Sequence, residues 1–236
     1  MALYRDDDDC RGLLVSALRQ LVDSGLTSGT SGNVSLRTPG GMLVTPTGMA
    51  PGELQAQDIV SMQLDGAVHP GQLTPSSEWR MHADIYAQRR EFEAVVHCHS
   101  TYATILACAH RPIPAQHYMV AASGSCEIPL ADYATFGSQA LSDAALRALS
   151  GSRACLLANH GQIATGTNLP EALKLAELVE ELAHGHWGAL AIGGPRLLGR
   201  EQMEAVLRAF ANYGQQQENR SGTEREQPHS GRKPPN

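Results

Sequence analysis

Two histidines one residue apart, His97-Cys98-His99, follow directly on the apolar run Ala94-Val95-Val96. A short apolar segment rich in β-branched residues predicts a buried strand. On a strand, residues i and i+2 point to the same face, so two imidazoles project side by side and Cys98 points away. A third histidine sits in Ala158-Asn159-His160-Gly161, at the end of another apolar run, Ala154-Cys155-Leu156-Leu157-Ala158. Three histidines meeting at strand ends make a divalent transition-metal site with an open fourth position, which is the catalytic kind. A lone His-x-His is weak on its own, and the chain contains a second one, His184-Gly185-His186. That pair falls in a run with helical pattern, 171–190. On a helix, residues i and i+2 lie about 200° apart, so this pair cannot chelate.

Glu78, in Ser76-Ser77-Glu78-Trp79-Arg80, is the next candidate. A carboxylate near a metal serves as ligand or as general base, although a glutamate near a helix start also serves simply as a dipole or capping residue. Three small-residue loops could hold an anion: Thr30-Ser31-Gly32-Asn33, Thr45-Pro46-Thr47-Gly48 and Thr74-Pro75-Ser76-Ser77. Each offers backbone N–H groups and hydroxyls, and the third precedes a helix N-terminus. None carries Lys or Arg, so any phosphate there is held by neutral donors. Read singly, each loop is more often an ordinary turn; three of them in one histidine-bearing chain point toward an anion.

The elements that position these residues are short and alternate in type. Asp6 to Asp9 precede an amphipathic helix over 13–22 that Gly25 ends, and the acidic run suits the helix macrodipole. Strands are expected at 34–37, 42–46 and 59–64, the last before an Asp65-Gly66 turn. A helix capped by Ser76 or Ser77 runs to about Arg90. Further helices are expected at 102–109, 137–149, 169–190 and 201–212. Strands at 154–158 and 161–165 bracket Asn159-His160. Residues 215–236 turn polar and are expected to be a disordered tail after a catalytic domain over 1–214.

The chain has 236 residues with 42% hydrophobic and 18% charged content, which suits one globular domain with a sizeable core. Its formal charge is −6, and no cluster of Lys and Arg precedes the tail, which argues against nucleic acid. No apolar stretch reaches the roughly 18 residues of a membrane span. The first residues lack a basic-then-apolar signal pattern. Five scattered cysteines without a C-x-x-C pair are expected to be reduced thiols in a cytoplasm.

The order Ser-Gly-Asn-Val-Ser, Thr-Pro-Thr-Gly, Ser-Ser-Glu-Trp-Arg, His-Cys-His-Ser and Asn-His-Gly resembles the class II aldolase and adducin family of zinc-dependent sugar-phosphate lyases. The segments 113–119, 133–137 and 210–214 are similar to those of the L-fuculose-1-phosphate aldolases in that family. The resemblance runs collinearly over about 5–214. It implies an α/β (α+β) fold, a three-layer αβα sandwich around a mainly antiparallel sheet. It also implies a homotetramer with active sites between subunits, one Zn2+ per subunit, and no nucleic-acid or membrane partner.

Carried over by motif, His97, His99 and His160 ligate zinc. Glu78 is the acid/base residue and an added ligand in the empty enzyme. Thr30, Gly32, Asn33, Thr47, Gly48, Ser76 and Ser77 hold the substrate phosphate. Tyr118 reaches a neighbouring subunit's site, and Tyr213 helps close the site. The implied reaction is reversible cleavage of a ketose-1-phosphate, of the L-fuculose-1-phosphate type, to dihydroxyacetone phosphate and an aldehyde through a metal-stabilised enediolate. The residues suit it: neutral histidines leave a metal its full charge, and tyrosine, with a pKa of about 10, exchanges a proton with the C4 oxygen. A Schiff-base route needs a lysine, and the chain has only Lys174 and Lys233.

Asn159 stands where the fuculose enzymes have a histidine, and Gln116 and 123–127 also differ. These departures bear on the aldehyde half. Relatives taking 5-deoxyribulose or 5-(methylthio)ribulose 1-phosphate are therefore an alternative, as are a 4-epimerase, a decarboxylase or a dehydratase of the same fold. A non-catalytic module of the adducin kind is disfavoured because all three histidines and Glu78 are present. A structural zinc site needs a fourth ligand, and Cys98 faces away.

Overall fold

The computed structural model describes residues 2–210. Tyr213, the expected end of the last helix and the 215–236 tail lie outside the described residues.

Helix α1 (Asp8–Asp23) is followed by strands β1 (Asn33–Thr38), β2 (Gly41–Val44) and β3 (Val60–Met62). Then come α2 (Trp79–Gln88), β4 (Ala94–Cys98) and α3 (Thr101–Cys108). Strand β5 (Leu130–Ala131), α4 (Gln139–Ala148), β6 (Ala154–Leu157), β7 (Gly161–Gly166), α5 (Leu169–Ala191) and α6 (Arg200–Phe210) complete the order. The strands form one seven-stranded sheet, β3-β2-β1-β4-β7-β6-β5. Every neighbouring pair is antiparallel except β5 with β6. Two apolar layers cover it. One joins alternate strand residues such as Val34, Leu36, Val96 and Leu156 to α1, α3 and α5, and the other joins Val44, Val95, Leu157 and Ile163 to α2 and α4. The three-layer αβα arrangement follows from this two-sided burial.

The alternation expected along β4 holds. Ala94, Val96 and Cys98 sit in the α1/α3/α5 layer and Val95 in the other. Asn33 of β1 pairs with His97 of β4 at the same end of the sheet, and Leu157 pairs with Gly161 across the loop that carries His160. In that loop Asn159 adopts the left-handed region (φ 55°), and the His160 N–H donates to the Leu157 carbonyl at 3.0 Å. Asparagine tolerates this conformation better than most residues.

Some boundaries differ from expectation, each for a local reason. α1 begins at Asp8 rather than near Leu13 because the Asp7 carboxylate accepts from the Cys10 N–H at 2.9 Å and caps it. α2 begins at Trp79, with Glu78 at the cap and no side-chain cap bond. Ser76 and Ser77 do not cap it, because their segment is held against the 45–48 loop. The Ser76 N–H donates to the Thr45 carbonyl at 3.0 Å and the Thr47 N–H to the Thr74 carbonyl at 3.1 Å. Strand β5 is two residues long, too short for any periodicity to reveal it.

Candidate active site

Glu78, His97, His99 and His160 converge from three directions. Glu78 stands at the start of α2, the first two histidines at the end of β4, and His160 in the β6–β7 loop. One ligand atom from each lies within 4.8 Å of all the others. His97 Nε2 is 3.0 Å from His99 Nε2 and 3.1 Å from Glu78 Oε2, and His160 Nε2 is 3.3 Å from Glu78 Oε1. The three rings meet edge-on, with centroids 4.8–4.9 Å apart. Four donors around a zinc-sized ion with bonds near 2.0–2.1 Å sit about 3.3 Å apart at tetrahedral edges, so the set fits a divalent cation. Glu78 Oε1 is buried and has no hydrogen-bond donor, which is what a ligand atom looks like.

The second ring nitrogen of His97 fixes its tautomer. Its Nδ1–H donates to the Gln162 carbonyl at 2.8 Å, leaving Nε2 bare toward the other ligands. Gly161 is required beside it: a Cβ there would lie 2.5 Å from the Cys98 carbonyl and 2.8 Å from His99 Cδ2. Cys98 is no ligand. It faces the opposite layer, and burial raises its thiol to about 12.

Electrostatics favour a cation here. Burial, reinforced by the neighbouring imidazoles, lowers His99 and His160 to about 4, so both are neutral near pH 7, the form that can bind a metal. Burial works against the charge on Glu78, but facing His97 and His160 and the Asn33 amide outweigh it and hold the carboxyl well below the usual range. Burial likewise works against a charge on His97, and Glu78 outweighs it and raises that ring. A site that draws positive charge onto a buried imidazole is a site a metal ion can take over.

A cavity of about 340 Å³ opens over these residues, a size suited to a small ligand. The loops singled out for an anion meet in its wall: Thr30, Gly32 and Asn33 on one side, Thr47, Gly48, Ser76 and Ser77 on another. Among the described residues, no Lys or Arg lines it. Gly32 has φ +84°, and a Cβ on it would lie 2.9 Å from Thr27 Oγ1 and 3.1 Å from the His97 carbonyl. The loop can thus hug the metal-ligand strand only with glycine there. Asn33 is more deeply placed than an anion loop implies. One of its amide hydrogens goes to Glu78 Oε2 at 3.1 Å. Tyr118 is half exposed and lies outside this cavity's wall.

Residues not singled out by spacing also line the cavity. Tyr133 and Phe136 stand at its mouth with more than 60% of their surface exposed, and Ala134 lies between them. Two exposed aromatics in a loop ending at Gly137 were the available signal. His82, four residues after Glu78, is wholly buried on α2 and does not line the cavity.

Residues 12–187 match the model of the Class II Aldolase and Adducin N-terminal domain. The chain belongs to that family, as an enzyme of its aldolase branch. It is 49% identical over 201 residues to a 5-methylthioribulose-1-phosphate/5-deoxyribulose-1-phosphate aldolase of Rhodospirillum rubrum, covering 85% of this chain and 90% of the relative. It is 44% identical to the L-fuculose phosphate aldolase of Escherichia coli K12, covering 83% and 94%. A solved L-fuculose 1-phosphate aldolase superposes with a TM-score of 0.84 at 40% identity, covering 87% of this chain and 97% of that one.

Proposed function

We infer that the protein is a zinc-dependent aldolase that splits a ketose-1-phosphate reversibly into dihydroxyacetone phosphate and an aldehyde. The observation that carries this is the convergence of four metal-binding donors on the floor of a cavity walled by neutral anion-holding loops. His97, His99 and His160 would hold the metal, with Glu78 beside them. A divalent metal there supplies Lewis acidity for the charge that builds on the three-carbon half as the C3–C4 bond breaks.

The chain's own residues do the rest. Hydroxyls and amides of Thr30, Gly32, Thr47, Gly48, Ser76 and Ser77 hold the phosphate without a counter-charge, aided by the α2 N-terminus. Asn33 contributes its remaining amide hydrogen. Glu78, kept ionised, takes a proton from the reacting carbon of dihydroxyacetone phosphate and returns it. Tyr118, exposed and away from its own cavity, serves the aldehyde oxygen of a neighbouring subunit's site in a homotetramer, and Tyr213 helps close the site. The five unpaired cysteines accord with work in a reducing cytoplasm.

Two aldehyde halves are in contention. The apolar mouth formed by Tyr133, Ala134 and Phe136 favours an aldehyde half without a hydroxyl next to the carbonyl, hence 5-deoxyribulose or 5-(methylthio)ribulose 1-phosphate over L-fuculose 1-phosphate, whose lactaldehyde half carries one. The Rhodospirillum relative supports the same choice. L-Fuculose 1-phosphate is the second reading, supported by the Escherichia coli relative and the solved aldolase. Initial rates of dihydroxyacetone phosphate release from both substrates, measured side by side, decide between them. A higher kcat/KM on the methylthio substrate is expected. A higher value on L-fuculose 1-phosphate reverses the assignment, and no release from either turns the reading toward an epimerase, decarboxylase or dehydratase.

A further inference from the structure

Behind Glu78 lies a line of buried polar side chains, of which only Asn33 has a part in phosphate binding. His82 is wholly buried on α2. Its Nε2 lies 2.5 Å from Asn33 Oδ1 and its Nδ1 2.7 Å from Ser35 Oγ. Ser35 Oγ is 2.8 Å from the Tyr86 hydroxyl, which also donates to the Ser35 carbonyl at 2.9 Å. At the other end Asn33 Nδ2 donates to Glu78 Oε2.

The chemistry of the end group fixes every arrow. An ionised carboxylate only accepts, so Asn33 must turn its NH2 to Glu78 and its oxygen to His82. A carbonyl oxygen also only accepts, so His82 Nε2 carries the hydrogen. A neutral imidazole has one N–H, so Nδ1 accepts, and the Ser35 hydroxyl donates to it. From the Ser35 hydroxyl onward the bonds therefore run toward Glu78, while the Tyr86 hydrogen goes to the Ser35 carbonyl, and bonds aligned this way polarise one another. Complete burial lowers His82 to about 3, in keeping with a neutral ring.

We propose that His82 is a positioning residue for Glu78, acting through Asn33, and that this line of bonds leaves Glu78 Oε1 as the oxygen that carries the proton in turnover. This rests on the aldolase reading above. A proton arriving on Oε2 would meet the Asn33 N–H, and the amide would have to turn and give up its bond to His82. Oε1 accepts no hydrogen bond and faces His160 beside the cavity. In the step itself the C–H proton of dihydroxyacetone phosphate passes to Oε1 and the electron pair stays on the carbon. The reverse transfer restores both.

The first test needs no reaction. Nitrogen-15 correlation spectra of the histidine rings in the metal-free protein, with His82 assigned through contacts to Ser35 and Asn33, report its tautomer. Hydrogen on Nε2 is expected; hydrogen on Nδ1 reverses the order of bonds and overturns the proposal. The second test follows exchange of the dihydroxyacetone phosphate C–H with solvent deuterium, without aldehyde. His82→Phe should slow exchange about 10- to 100-fold, the usual cost of losing a partner that orients a reacting group, with KM within about 2-fold. His82→Gln, which keeps a donor and an acceptor, should recover most of the rate. Wild-type exchange in His82→Phe, or equal losses in both variants with KM rising, overturns the proposal. A wild-type protein that shows no exchange and no cleavage sinks the aldolase reading instead, and the tautomer measurement still decides the bond order.

Discussion

His97-Cys98-His99 and His184-Gly185-His186 share one spacing and have opposite fates. At the end of β4 the two rings face each other, Nε2 to Nε2 at 3.0 Å, and a third histidine joins them. On α5 the two rings part company. His184 stacks on Tyr102 with centroids 3.9 Å apart, while His186 is buried with its Nδ1 2.9 Å from Gln116 Oε1. The period of the backbone decides whether a spacing is a site: two residues per repeat on a strand bring the rings together, and 3.6 per turn on a helix separate them.

The contrast can be broken most sharply by deleting one ring from each pair. His99→Ala should lose bound metal and lower dihydroxyacetone phosphate release by about 1000-fold or more, the loss of several kcal/mol of Lewis-acid stabilisation. His184→Ala should leave metal content and rate within about 2-fold. Equal losses in the two variants, by metal analysis and initial rates, would contradict the distinction. Next in size is Glu78→Gln, expected to retain substrate binding and lower kcat about 100- to 10,000-fold, the range for a general acid or base. Full turnover in that variant would remove Glu78 from the chemistry.

Glycines beside each pair sharpen the comparison. A Cβ on Gly161 would press on His99 and the Cys98 carbonyl, so Gly161→Ala should weaken metal binding by about 10- to 100-fold in a titration. Among the described residues, a Cβ on Gly185 would meet only Gln116 Nε2, at 3.8 Å, so Gly185→Ala should stabilise α5 by up to about 1 kcal/mol. The last contrast is in pH dependence. His82 sits at about 3 in the fold, and an unfolded histidine titrates near 6.5. Between those values the unfolded chain holds a proton that the folded chain lacks. Acidification from pH 6.5 toward 3 therefore removes stability, at up to about 1.4 kcal/mol per pH unit. Urea midpoints of the metal-free protein should fall less steeply with acidification in His82→Gln than in wild type. Parallel curves would mean the ring is not held neutral.

Much of this was legible before any coordinates. The metal donors could be read because β-branched residues announce a strand, and a strand fixes which side chains are neighbours. The loops that meet in the cavity wall could be singled out because they cluster small hydroxyl residues with glycine. The start of α2 was misread at Ser76 or Ser77, since a serine before an apolar run signals a cap unless another loop already holds its backbone, as 45–48 does here. The line from Glu78 to Tyr86 joins residues of β1 and α2 that only the packing of α2 on the sheet brings together. Its one local clue was the four-residue step from Glu78 to His82. Tyr133 and Phe136 lie in a loop without periodicity; the likeness of 133–137 to the aldolases marks the segment, and the fold sets it at the cavity mouth.

The most direct test of the account is metal stoichiometry tied to turnover: remove metal with a chelator, then titrate Zn2+ back while following dihydroxyacetone phosphate release from 5-(methylthio)ribulose 1-phosphate. The account predicts that release stops with the chelator and returns in full at one equivalent per chain, with no recovery in His97→Ala. Undiminished release from the chelated, metal-free protein would contradict it.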